Sequence, residues 1–224
     1  MTFSIIARCK KTGQIGGAVS SSSPAVASRC LHGRAGVGMV MSQNITDPIL
    51  GKKILDALEQ GDTPQEAVQR VVDKEDFIQY RQLVAMNNKD KGAVFSGEHT
   101  LGVHANFIGE DVVSAGNLLD NTSVPQSIAE AFDKADGSLA ERILTAMKAG
   151  LAAGGEAGPV HSVGLMVMDK NIEWPIVDLR LDWSDNPIDD LETAWQVYEP
   201  QMNDYITRAV DPTTAPSYGV PGDL

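Results

Sequence analysis

Apolar and polar positions alternate with period two at the start of the chain and again beyond residue 81. Between and after these blocks the spacing lengthens to that of helices. Residues 2–9 alternate with Phe3, Ile5, Ala7 and Cys9 on one face and Thr2, Ser4, Ile6 and Arg8 on the other. The first face is expected to look inward, and the opposite side is expected to be largely covered as well. Residues 10–14 read as a turn, and residues 15–23 run back as a second strand that ends in four serines before Pro24. Gly16 and Gly17 weaken that strand and fit a place where another backbone or a ligand comes close. Residues 25–34 read as a loop or short irregular segment, residues 35–42 as a third strand and residues 43–46 as a loop.

Helix signals follow. Asp47-Pro48 opens a helix over 49–59 that Gly61 ends. Thr63-Pro64-Gln65-Glu66 is a capping box that starts a second helix, to about residue 73. Four strands are predicted at 82–86, 93–96, 104–108 and 112–115, with a turn at 87–92. A helix over 124–135 precedes another that Ser138 and Glu141 cap and that Gly154-Gly155 ends. Strands at 160–168 and 176–183 flank a turn at 169–171, and Asn186-Pro187 opens a last helix to about residue 209. Strands in blocks and helices in pairs favour an α+β fold of antiparallel sheets under helix layers over a doubly wound parallel sheet. Residues 1–210 are expected to form a single domain and residues 211–224 an irregular tail rich in Pro, Gly and Thr.

Composition narrows the function. The formal net charge of −12 over 224 residues argues against a nucleic-acid binder. No apolar run approaches the roughly 18 residues that a membrane span needs. The basic-then-apolar pattern of a signal peptide is missing from the N-terminus, so a cytoplasmic location is expected. Cys9 and Cys30 are too few for a disulfide scaffold and are expected to be reduced. The four histidines are scattered and no metal-ligand spacing occurs, so neither metal nor cofactor is expected. Phosphate-loop, dinucleotide-binding and Gly-x-Ser-x-Gly signatures are lacking.

The chemistry gathers at the N-terminus. If Met1 is removed, Thr2 carries a free α-amine beside its own hydroxyl, and the amine can serve as that hydroxyl's base. Ser21, Ser22 and Ser23 offer a hydroxyl-lined pocket floor beside it, or simply a polar strand end. Arg29 and Arg34 are candidates for an anionic substrate group or for ion pairs with the many local carboxylates.

Several stretches resemble the family catalogued as domain of unknown function 1028. They are Thr2-Phe3-Ser4-Ile5, the run from Ser20 to Val26, the run from Arg34 to Gly38, Gln43-Asn44 and Tyr80-Arg81-Gln82. Gly116-Asn117-Leu118-Leu119, Gly154-Gly155 and the run from Val177 to Asp182 complete the set. Such a family is similar to N-terminal-nucleophile hydrolases. The resemblance implies a four-layer αββα sandwich and hydrolysis of an amide bond by the N-terminal residue. Proteasome-type relatives also use a lysine close to the nucleophile, whereas Lys10 and Lys11 here sit at the far end of the hairpin.

Asn117, at a strand end, is then the first candidate for an oxyanion donor and Asn44 the second; Arg34 and Arg81 are candidates for substrate anchoring. The expected partner is a small-molecule amide or amino-acid derivative, with assembly into a homodimer or higher homo-oligomer. Two other functions fit the residues. One is a non-catalytic binding or assembly protein on the same fold. The other is a serine hydrolase that pairs Ser21 or Ser23 with His32 or His161.

Overall fold

The computed structural model describes residues 1–220 and 222. β1 (Thr2–Cys9) and β2 (Gln14–Ser21) form the expected hairpin. Because both flanks of β1–β2 are apolar enough to be covered, the hairpin becomes the centre of a sheet. β1 pairs antiparallel with β8 (Val112–Asn117) and β2 with β9 (Ser162–Met168). β7 (Ala105–Ile108) and β10 (Pro175–Leu181) complete six strands in the order β10-β9-β2-β1-β8-β7. The second sheet runs β3-β4-β5-β6, from β3 (Leu31–Arg34), β4 (Gly38–Asn44), β5 (Arg81–Met86) and β6 (Ala93–Ser96).

Alternation divides the core into three sheets of contact. Phe3, Ile5 and Ala7 pack outward against α4 (Val124–Lys134) and α5 (Leu139–Ala152), while α6 (Pro187–Val210) covers β9 and β10 on the same side. Ile6, Val19, Met41, Val84 and Val113 fill the space between the sheets. Val40, Leu83 and Ala85 pack outward on the other side, against α2 (Pro48–Glu59) and α3 (Pro64–Val72). The result is the four-layer αββα sandwich. Gly17 serves the close contact of the sheets: a Cβ there would lie 2.9 Å from Ile5 O and 3.0 Å from Met41 Cε. The helix starts are set locally, as the sequence predicts. Asp47 accepts from Ile49 N–H, and Thr63 and Ser138 both form complete capping boxes.

Three expectations are corrected. Residues 25–34 are not a loop but α1 (Val26–Cys30) followed by β3. A five-residue helix is too short to show a period, and an edge strand of four residues shows little alternation. The third strand does not begin at residue 35, because Gly36 at φ +70° turns the chain between β3 and β4. Residues 43 and 44 are strand rather than loop, since Gln43 finds a buried amide partner across the sheet. The irregular tail is anchored where it is described: the Arg208 guanidinium donates to Pro216 O and lies 3.9 Å from the Tyr218 ring centroid. Residues 221, 223 and 224 of the expected tail lie outside the described residues.

One end of the sandwich is closed by charge. Arg8 is buried and donates to Asp111 Oδ1 at 2.8 Å, Asp90 O at 2.8 Å and Glu110 O at 2.8 Å, which ties two loops to β1. Lys10 pairs with Glu110 and Asp111 at the same end. Thr2 starts β1 at the other end. No helix among the described residues is long and apolar enough to cross a membrane.

Candidate functional site

Strand register builds a polar row across the end where β1 begins. Thr2 pairs with Asn117 on β8. Phe3 pairs with Ser20, so Thr2 stands opposite Ser21 on β2, and Ser21 pairs with Ser162 on β9. Residues directly opposite each other in an antiparallel pair share a face. Asn117, Thr2, Ser21 and Ser162 therefore form one row facing the second sheet. That sheet answers with its own row, since Gln43 pairs with Gln82 and Gln82 with Ser96.

The two rows meet. Asn117 Nδ2 and Gln43 Nε2 each donate to Gln82 Oε1 at 3.1 Å. Gln82 Nε2 donates to Ser96 Oγ at 3.0 Å and to Gly116 O at 3.1 Å. Asn117 is fully buried in this amide cluster, beside Thr2 but bonded away from it. Thr2 and Ser21 are turned to a different group. Thr2 Oγ1 donates to the carbonyl oxygen of Met1, and Ser21 Oγ donates to the same oxygen at 2.5 Å. Ser21 Oγ also lies 2.9 Å from Ser23 Oγ, which accepts from Arg29 at 3.1 Å. With Met1 in place, Thr2 is only 5 % exposed and its nitrogen is an amide.

Sequence reasoning missed Glu156. It follows Gly154 and Gly155, which leave α5 with φ values of +122° and +58°. A Cβ at position 154 would also lie 2.7 Å from Asp120 Oδ2 and Asn121 Nδ2, so the turn requires glycine. The turn drops Glu156 into the N-terminal corner at 4 % exposure. Its Oε2 accepts from Ser22 N–H at 3.1 Å, while buried Oε1 has no hydrogen-bond partner among the described residues. Burial pushes its pKa up to about 7, opposed by the positive charge of the nearby N-terminal ammonium and by the Ser22 hydrogen bonds. The available signal was an acidic residue placed directly behind a Gly-Gly helix stop.

A raised carboxyl favours the folded state when protonated. Its contribution is fully present below the ordinary pKa of 4.5 and is lost as pH rises to about 7. At about 1.4 kcal/mol per unit, Glu156→Gln should be more stable than the parent by about 3 kcal/mol above pH 7. The difference should vanish below pH 4.5. Urea midpoints of both proteins at pH 4.5 and pH 8 check this, and a gap that does not widen with pH would refute it.

Other expected residues lie elsewhere. Asn44 Nδ2 donates to Tyr80 O at 2.6 Å and its Oδ1 accepts from Leu101 N–H, so both ends of the amide hold loops. Arg81 donates to Ile45 O. In both dipeptides the inward residue is the neighbour, Gln43 or Gln82. Arg34 pairs with Asp56 and Glu59 at 2.7 Å each. It leads into the β3–β4 turn, and that turn and residues 87–90 line one cleft. Asn88 of that segment donates to Gly13 O on the β1–β2 turn, so Arg34 belongs to the end opposite Thr2. Neither histidine serves a serine. His161 Nδ1 lies against Ser184 O and its ring stacks on Trp183, while His32 Nε2 lies against Arg29 O. Among the described residues no group of three or more His, Cys, Asp or Glu is placed to hold a metal ion. A surface cleft of 290 Å³ between α2 and α3 is lined by Lys53, Arg70 and Glu75 among others. Two of its cations are paired, Lys53 with Glu75 and Arg70 with Asp62.

The sequence model of a family described as a family of unknown function, DUF1028, matches residues 2–191. A crystal structure of a Silicibacter pomeroyi protein assigned to that family superposes with a TM-score of 0.82. It is 32 % identical over 88 % of each chain. More distant likeness extends to HslV from Trypanosoma brucei, with a TM-score of 0.45 and 14 % identity over 75 % of this chain and 99 % of that one. Anbu, an ancestral β-subunit from Yersinia bercovieri, superposes with a TM-score of 0.42 and 13 % identity over 90 % and 96 % of the two chains. No curated protein matches the sequence.

Proposed function

The chain belongs to the DUF1028 family, and from the geometry of its N-terminal corner we propose that it is an N-terminal-threonine amidohydrolase acting on a small amide. The observation that carries this reading is the convergence of the Thr2 and Ser21 hydroxyls on one carbonyl oxygen, that of the residue preceding Thr2. Removal of that residue uncovers the Thr2 hydroxyl and converts its amide nitrogen into an amine. An α-amine has an ordinary pKa near 7.7–8, suited to general-base work at neutral pH.

The reaction then runs in two halves. Thr2 Oγ1 attacks the substrate carbonyl carbon, and the Thr2 amine takes the hydroxyl proton, directly or through one water. The Ser21 hydroxyl, which donates to the Met1 carbonyl oxygen, is our candidate for the donor that holds the oxyanion. The proton passes to the leaving nitrogen, the C–N bond breaks, and an ester on Thr2 remains. Water, deprotonated by the same amine, attacks the ester; the acid leaves and the Thr2 hydroxyl is restored. Asn117 is kept as a support: through Gln82 it ties the strand beside Thr2 to the second sheet.

The first test is the mass of the intact protein from its own host. Loss of the Met1 mass, together with amide hydrolysis by the shortened form alone, is the expected result. A native protein that still carries Met1 would sink the hydrolase reading and leave the non-catalytic binding protein.

A further inference from the structure

We propose that the corner is built for an α-aminoacyl group, whose free ammonium is held by Glu156. This rests on the hydrolase reading for its catalytic meaning, but it concerns recognition and is testable by binding alone. Met1 lies in the corner and shows where a carbonyl and a side chain sit. Its carbonyl takes the hydroxyls of Thr2 and Ser21. Its side chain lies against Gly158, where a Cβ would stand 3.7 Å from Met1 Cε and 3.9 Å from Met1 Sδ. Its nitrogen makes no hydrogen bond to Glu156, whose Oε1 stays without a partner among the described residues, so that oxygen is left for the ammonium of a substrate.

Glu156 has little structural reason to be acidic. One oxygen is satisfied by Ser22 N–H, and the other is buried with no hydrogen-bond partner among the described residues. A buried acceptor without a donor costs stability, and a ligand that supplies the donor recovers it. A backbone amide holds one oxygen in place, so the second is presented in a fixed direction. After Met1 is gone, the corner retains the carbonyl donor of Ser21, the carboxyl of Glu156 and the open side of Gly158. These three groups offer partners for the carbonyl, the ammonium and the side chain of one amino acid. The substrates so selected are amino-acid amides and peptides with a free N-terminus, and N-acylated amides are rejected.

The test uses protein beginning at Thr2, verified by mass, titrated calorimetrically with L-methioninamide and N-acetyl-L-methioninamide. A buried charged hydrogen bond of this kind should give about a 10–100-fold preference for the free amine. Glu156→Gln should erase the preference without weakening the acetylated probe. Gly158→Val should weaken methioninamide but spare glycinamide, which has no side chain to collide. Equal binding of the two probes, binding of neither, or a preference that survives Glu156→Gln overturns the proposal. Ammonia release, followed in the same samples, keeps the two readings apart. Selective binding without release supports recognition and removes the hydrolase. Release from both probes alike keeps the hydrolase and removes the recognition.

Discussion

Thr2→Ala, in protein that starts at residue 2, should lose amide turnover by about 10⁴-fold or more, as removal of a covalent nucleophile does. The fold should persist. The only side-chain hydrogen bond of Thr2 among the described residues runs to the carbonyl of Met1, a group that protein starting at residue 2 lacks. The change therefore leaves no stranded buried partner, and one hydrogen bond is worth only about 1 kcal/mol in any case. Thr2→Ser retains the attacking oxygen and the amine and should keep measurable activity. Ser21→Ala should be milder, about 10²–10³-fold, because it removes an oxyanion donor and not the nucleophile. Release of ammonia or of a chromogenic amine, with melting curves in parallel, reads all three. Full turnover by Thr2→Ala would end the N-terminal-nucleophile reading.

Phe3→Ala should cost about 3–5 kcal/mol, the upper range for a buried aromatic side chain. Phe3 is fully buried on the face of β1 opposite Thr2. Its ring lies where two glycines let it approach backbone: a Cβ at Gly150 would stand 3.4 Å from Phe3 Cε2, and one at Gly155 3.5 Å from Cε1. Glycines offer no side chain that could swing into the hole, so the cavity should stay open. Gly155 immediately precedes Glu156, and the loss should also loosen the turn that holds the carboxyl. The predicted signature is a fall in the urea midpoint together with a weaker preference for free-amine probes. A loss below about 1 kcal/mol would show that the site relaxes, against expectation for a close-packed interior.

Much of the architecture was legible in the chain itself. The capping boxes at Thr63 and Ser138 and the Asp47 cap are contacts within four residues, and they form where the sequence places them. The hairpin of β1 and β2 and its two covered faces follow from alternation. The site was less legible. In Gln43-Asn44 and Arg81-Gln82, reading residue chemistry alone chose Asn44 and Arg81, whereas the residues in the amide cluster between the sheets are Gln43 and Gln82. Glu156 is one of thirty acidic residues, and the sequence reading did not single it out.

By itself, then, the sequence determined the helices other than α1, the strands other than β3, the layered α+β architecture and Thr2 as the residue to watch, because the signals for each lie in spacing within a few residues. Only the tertiary structure decided what stands around Thr2. Asn117 and Ser162 come to its row from more than a hundred residues away through strand register, and Glu156 arrives on a glycine turn at the end of α5. Register and burial are set by which surfaces pack together. Packing at the end of α5 is what takes the Glu156 carboxyl out of water.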